Sequence, residues 1–149
     1  APKPPSVGFS LTDPDHARAM SLAVIIVEDH APMREMLASV FRRAGADVRE
    51  APAAGAGLAL FEQFGADLVV LDQTMPGMTG VALIRELRAR DPTLRLILLS
   101  GRNDPELREE ARQAGADAVL LKPVAPRQLM GHVNALMAER EPCPPGVEG

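Results

Sequence analysis

The chain of 149 residues has no tryptophan and no tyrosine, and four phenylalanines are all its aromatics. Stacking platforms for single-stranded nucleic acid or sugars are therefore nearly absent, and any core must be aliphatic. A single cysteine, Cys143, excludes an intrachain disulfide framework and any multi-cysteine metal site. That usage suits a reducing compartment, so the expected location is the cytoplasm. A basic excess is also lacking. Sixteen Lys and Arg against twenty Asp and Glu give a formal charge of -4, without the positive footprint that draws a protein onto DNA or an anionic membrane. No apolar run approaches the roughly 20 residues of a membrane span, and the N-terminus lacks a charged-then-apolar signal pattern.

What is present fits one domain with a single sizeable core. Half of the fourteen prolines, Pro2, Pro4, Pro5, Pro14, Pro142, Pro144 and Pro145, fall near the ends. Residues 1–19 and 140–149 accordingly read as tails or linkers around a folded unit over 20–139. The chain begins at Ala1 rather than Met, which is expected of a processed chain or a piece of a longer one. Within the folded unit Pro32, Pro52, Pro105 and Pro126 stand where helices should begin. Gly-Ala-Asp occurs at Gly45-Ala46-Asp47, Gly65-Ala66-Asp67 and Gly115-Ala116-Asp117. Each follows a helical pattern and precedes a strand-like segment, so glycine is read as the left-handed residue that ends the helix.

Four apolar runs, Ala23–Val27, Leu68–Leu71, Leu96–Leu99 and Ala118–Leu121, are continuous rather than alternating. That pattern suits strands buried on both faces of a parallel sheet. A fifth segment around Val48 is short and mixed, which suits an edge. Between them run one-faced helical stripes: Met33, Met36, Leu37, Val40 and Phe41; Leu58, Phe61 and Phe64; Leu83, Ile84 and Leu87; Leu107, Ala111 and Ala114; Leu129, Val133, Leu136 and Met137. Five strands alternating with five amphipathic helices predict an α/β fold, a doubly wound parallel sheet with helices on both faces.

In such sheets the ligand crevice lies at the carboxyl ends of the strands. There the sequence places Glu28 and Asp29, Asp72, Ser100, and Lys122 before Pro123. Singly, an Asp at a strand end makes a turn, a Ser caps a helix and a Lys is solvated. Together, three carboxylates repel unless protonated or neutralised, and an all-oxygen cluster suits Mg²⁺. Lys122 offers a compact positive charge and Ser100 a hydroxyl to any anion that shares the metal. A carboxylate at the centre of that set can attack phosphorus, and Asp72 is the natural nucleophile. An aspartate-nucleophile phosphatase would want a second acid two residues later, where Thr74 stands. The segment Glu28-Asp29-His30-Ala31-Pro32 has no glycine cradle for a nucleotide.

The segment Leu71-Asp72-Gln73-Thr74-Met75-Pro76-Gly77-Met78-Thr79-Gly80 resembles the phosphoacceptor loop of two-component response-regulator receiver domains: Asp, two variable residues, Met-Pro, one residue, Met, one residue, Gly. With Glu28-Asp29, Ser100 and Lys122-Pro123 the resemblance covers about residues 22 to 139. It implies a flavodoxin-like strand order 2-1-3-4-5. It implies that Asp72 accepts a phosphoryl group from a phosphohistidine of a sensor histidine kinase or phosphotransfer domain. Asp29, Asp72 and the Thr74 backbone carbonyl would hold Mg²⁺, with Glu28 acting through water, and Ser100 and Lys122 would bind the phosphoryl oxygens. Such a domain is a phosphoacceptor with self-catalysed transfer and autodephosphorylation, not a dedicated enzyme. It signals to a downstream protein by shifting the surface of helix 4, strand 5 and helix 5, either standing alone or as part of a larger regulator or hybrid kinase. Val119 departs from the family, standing where an aromatic switch residue is common. A valine cannot swing as Tyr or Phe does, so output is expected either to use backbone and helix 4 movement alone or to be weak. A receiver-like interaction scaffold that works without phosphorylation is the alternative. The loop Gly101-Arg102-Asn103-Asp104-Pro105, rich in turn formers, is expected to be mobile.

Overall fold

The structure, a computed structural model, describes residues 22–139. The two expected tails, with Cys143 and the terminal prolines, lie outside the described residues. The elements alternate strictly: β1 (Ala23–Val27), α1 (Ala31–Arg43), β2 (Asp47–Ala51), α2 (Ala54–Phe64), β3 (Leu68–Asp72), α3 (Gly80–Arg90), β4 (Arg95–Ser100), α4 (Pro105–Ala114), β5 (Ala118–Leu121) and α5 (Pro126–Glu139). All pairings are parallel, and the strand order is β2-β1-β3-β4-β5. The mixed segment around Val48 is indeed an edge.

Successive strand residues point to opposite faces, so each continuous apolar run feeds two cores. Val24, Ile26, Leu68, Val70, Ile97 and Leu99 pack with α1 and α5 through Leu37, Phe41, Leu129 and Val133. Ile25, Val27, Val69, Leu71, Leu96 and Leu98 pack with α2, α3 and α4 through Phe61, Ile84, Leu87 and Leu107. The glycines of the three Gly-Ala-Asp repeats have φ of 94°, 71° and 120°, the left-handed region in which only glycine sits without strain. Two of the repeat aspartates have a use the repeat did not reveal. Asp67 accepts from the Ala23 amide at 2.9 Å. Asp117 accepts from the Leu96 amide at 2.9 Å. Each carboxylate thus ties the start of one strand to the chain entering its neighbour.

Several surface expectations need correction. Met36 is exposed rather than buried in the α1 stripe, and Phe64 is 40% exposed; the Arg49 guanidinium lies 3.8 Å from the Phe64 ring centroid. Basic residues of α1 and α3 form ion pairs with neighbouring elements. Arg42 pairs with Glu50 at 2.9 Å, and Arg90 with both Glu62 and Glu86 at 2.9 Å. Arg88 turns inward. It donates to the carbonyls of Asp91, Pro92 and Gly115 and to the Asp117 carboxylate, joining α3 to the entrance of β5.

Candidate functional site

Strand register assembles the site. Val27 lies opposite Leu71, so Glu28 and Asp72 leave adjacent strands side by side. Asp72 is paired with Leu99, and Ser100 with Leu121, which brings Ser100 and Lys122 to the same rim. Lys122 starts one strand further out than Ser100 and must cross β4 to reach Asp72, a span that its four-carbon stem covers. Its Nζ lies 3.0 Å from Asp72 Oδ1 and 3.1 Å from Glu28 Oε1. The Lys122–Pro123 peptide bond is cis.

Glu28 and Asp72 are buried, at 1% and 6% exposure, whereas Asp29 is exposed. One carboxylate oxygen from each of the three can be chosen so that all lie within 4.8 Å of one another. Lys122 offsets one of these negative charges, leaving two. Like charges at that separation repel by roughly 3 kcal/mol per pair at an effective dielectric near 20. The two remaining charges, the all-oxygen donors and the mix of buried and open positions fit one hard divalent cation.

The local electrostatics show the strain of burying acid. Burial pushes the Glu28 carboxyl above its ordinary range; the hydrogen bonds from Lys122 and the His30 amide offset this only in part, and the Asp72 charge adds to it. Burial opposes the charge of Lys122 too, but hydrogen bonds to Asp72 and Glu28 outweigh it and hold the ammonium above its ordinary value. His30 contributes through its backbone: it is the N-cap of α1, and its amide donates to Glu28 Oε2 at 3.2 Å. Arg34, not singled out in the sequence, donates to the Glu28 carbonyl at 2.9 Å. A basic residue in the first turn of the helix that follows the acidic pair was the available signal.

The other expected residues surround this centre without joining it. Ser100 is buried at the end of β4, with its hydroxyl turned into its own loop. It donates to the Arg102 carbonyl at 3.2 Å and accepts from the Arg102 amide at 3.1 Å. Arg102 pairs with Asp104 at 2.7 Å, and Asp104 caps α4 by accepting from Glu106 and Leu107. The loop expected to be mobile is thus laced by side-chain bonds. Thr74 is exposed and lines, with Ser100, Thr79 and Glu106, a cavity of about 520 Å³ between the loops after β3 and β4. Val119 is half-buried against the α2–α4 core, and its carbonyl accepts from Arg108 of α4 at 3.2 Å. That bond ties an α4 side chain to the β5 backbone at the position that lacks an aromatic side chain.

Among the described residues no helix is long and apolar enough to cross a membrane. The response regulator receiver domain family matches residues 24–134. The chain is 31% identical over 121 residues to the phosphate regulon transcriptional regulatory protein PhoB of Pseudomonas aeruginosa, covering 80% of this chain and 53% of that protein. It is 32% identical over 115 residues to the sensory transduction protein RegX3 of Mycobacterium tuberculosis, covering 77% and 50%. The chain therefore spans about half the length of these curated relatives. A CheY-like response regulator receiver domain from Methanospirillum hungatei superimposes with a TM-score of 0.78 at 28% identity, covering 80% of this chain and 96% of that one.

Proposed function

The chain belongs to the response regulator receiver domain family, and on that premise we propose that Asp72 is the phosphoacceptor of a two-component phosphorelay. The observation that carries the reading is Lys122 Nζ held between Asp72 and Glu28, beside an acidic triad that fits a divalent cation. An Asp72 carboxylate oxygen attacks the phosphorus of a phosphohistidine. The new P–O bond forms as the P–N bond breaks, the imidazole leaves with the bonding pair and takes up a proton, and an aspartyl phosphate remains. Water reverses the modification by attacking the same phosphorus, releasing inorganic phosphate and restoring the carboxylate.

Glu28, Asp29 and Asp72, with the Thr74 carbonyl, would hold Mg²⁺. When bound, Mg²⁺ supplies positive charge to the equatorial oxygens of the transferring group. Lys122 does the same from the opposite strand and keeps Asp72 oriented. Ser100 supplies a hydroxyl donor once its bonds to Arg102 are exchanged for a phosphoryl oxygen. The partners in this reading are a sensor histidine kinase or phosphotransfer domain upstream and a protein that docks on α4, β5 and α5 downstream. The site is a self-modifying phosphoacceptor that works in the cytoplasm.

The test is incubation with a small acyl-phosphate donor and Mg²⁺, followed by intact-mass measurement. Gain of one phosphoryl group by the wild type and none by Asp72→Asn is expected. No gain by the wild type, under conditions where another receiver domain reacts, would refute the assignment.

A further inference from the structure

The residue after the phosphoacceptor, which the loop motif leaves variable, is held from two sides. The Gln73 amide donates to the Leu99 carbonyl of β4 at 2.9 Å, and the Gln73 carbonyl accepts from the Gly80 amide at 2.9 Å. Its side chain goes to the same helix: Gln73 Oε1 accepts from the Val81 amide at 3.0 Å. The first amides of a helix have no intrahelical acceptor. In α3 two of these donors, Gly80 and Val81, are satisfied by Gln73, and a third, Ala82, by the Thr79 hydroxyl at 3.2 Å. Residues 74–79 are thereby closed into a loop whose base is Gln73.

A second observation shows how closely that helix abuts the acceptor. A Cβ placed on Gly80 would lie 2.6 Å from the Asp72 carbonyl oxygen and 2.9 Å from Gln73 Cα. The first residue of α3 therefore rests directly on the Asp72–Gln73 peptide, and the position of the helix end and that of the acceptor backbone are one quantity. The Gln73 side chain adds to its backbone carbonyl a second tie between that helix end and the acceptor peptide.

We propose that Gln73 is a positioning residue for phosphoryl acceptance by Asp72. By capping α3 it holds the peptide between Asp72 and the Thr74 loop in the orientation that the reaction needs. This rests on the reading of Asp72 given above. Small misplacements of reacting groups are costly to rate, so loss of the cap should appear in the chemistry and not only in stability.

The test compares Gln73→Met, which keeps the side chain's length but removes the acceptor, with Thr79→Ala, which removes a cap from the same helical turn without touching the Asp72–Gln73 peptide. Phosphorylation rates with an acyl-phosphate donor are read by intact mass at saturating Mg²⁺. Mg²⁺ affinity is read by calorimetry, and folding by circular dichroism at the assay temperature. The expected result is a roughly tenfold slower rate in Gln73→Met, with weakened Mg²⁺ binding, and a rate for Thr79→Ala close to that of the wild type. Equal slowing in both variants, no slowing in either, or a Gln73→Met chain unfolded at the assay temperature would overturn the proposal and leave Gln73 a plain structural cap. A wild type that takes up no phosphate would instead overturn the Asp72 assignment itself.

Discussion

Replacing glycine by alanine in a helix ordinarily stabilises it, by up to about 1 kcal/mol in the interior. At Gly80 the opposite is expected. The added methyl would meet the Asp72 carbonyl oxygen and Leu98 Cδ1, each at 2.6 Å, and Gln73 Cα at 2.9 Å, where ordinary carbon contacts begin near about 3.5 Å. Two of those three atoms are backbone held in hydrogen bonds to β4 and α3, so they cannot turn aside as a surface side chain would. Overpacking of this kind costs about 1–3 kcal/mol, more than a first-turn propensity gain returns. Gly131 is the matched control: it lies within α5, is exposed and has nothing within 4 Å of an added Cβ. Gly131→Ala should raise stability by up to about 1 kcal/mol, and Gly80→Ala should lower it by about 1–2 kcal/mol net. The two midpoints would then differ by roughly 4–12 °C at about 4 °C per kcal/mol. Thermal and urea unfolding followed by far-ultraviolet circular dichroism reads the difference directly, since the chain has no tryptophan to report it. A Gly80→Ala chain as stable as the wild type would show that α3 can slide off Asp72 at no cost, and would remove the geometric basis for coupling the helix end to the acceptor.

Other outcomes follow from charge and burial. Burial raises the Glu28 pKa, so on acidification Glu28 loses its charge at a higher pH than an ordinary glutamate, and Mg²⁺ competes with a proton there. The Mg²⁺-induced rise in Tm should be largest near neutrality and shrink as the pH falls toward the ordinary carboxylate range; a rise independent of pH would exclude Glu28 from the metal's surroundings. Lys122→Met removes a positive charge from beside two acids, and should bind Mg²⁺ about tenfold more tightly while accepting phosphate more slowly; calorimetry and mass spectrometry on one preparation would expose any failure of that opposition. Arg88→Ala removes donors from three carbonyls and the Asp117 carboxylate and should cost about 2–3 kcal/mol in urea unfolding. Arg88→Lys should recover less than half, because an ammonium cannot reproduce the fork.

Much of this was legible in the sequence because it depends on order along the chain. Runs such as Leu68–Leu71 specify strands buried on both faces, and the rule that sites gather at strand ends selects Glu28, Asp29, Asp72, Ser100 and Lys122 without reference to side-chain geometry. What escaped depends on where side chains turn once the chain is closed. Gln73 reaches an amide eight residues on, and only the folded loop brings the two together. Arg88 finds its acceptors only where the Gly115 turn brings the chain back against α3. Met36 kept helical spacing yet falls just beyond the edge of the buried stripe, because a stripe on α1 is narrower than its apolar residues. The hydroxyl of Ser100 has a choice of partners that no spacing encodes, and it is spent on Arg102.

That last bond has a consequence for how the loop after β4 can respond. Ser100 bonds as donor and as acceptor to a single residue, so a move of its oxygen toward the acidic rim would draw on both contacts with Arg102. Moving it frees the Arg102 amide and carbonyl together, and with them the backbone that leads into the Asp104 cap of α4. A turn of that hydroxyl toward the rim would therefore be felt first at Arg102 and next at the first turn of α4, with no other side chain needed to carry it.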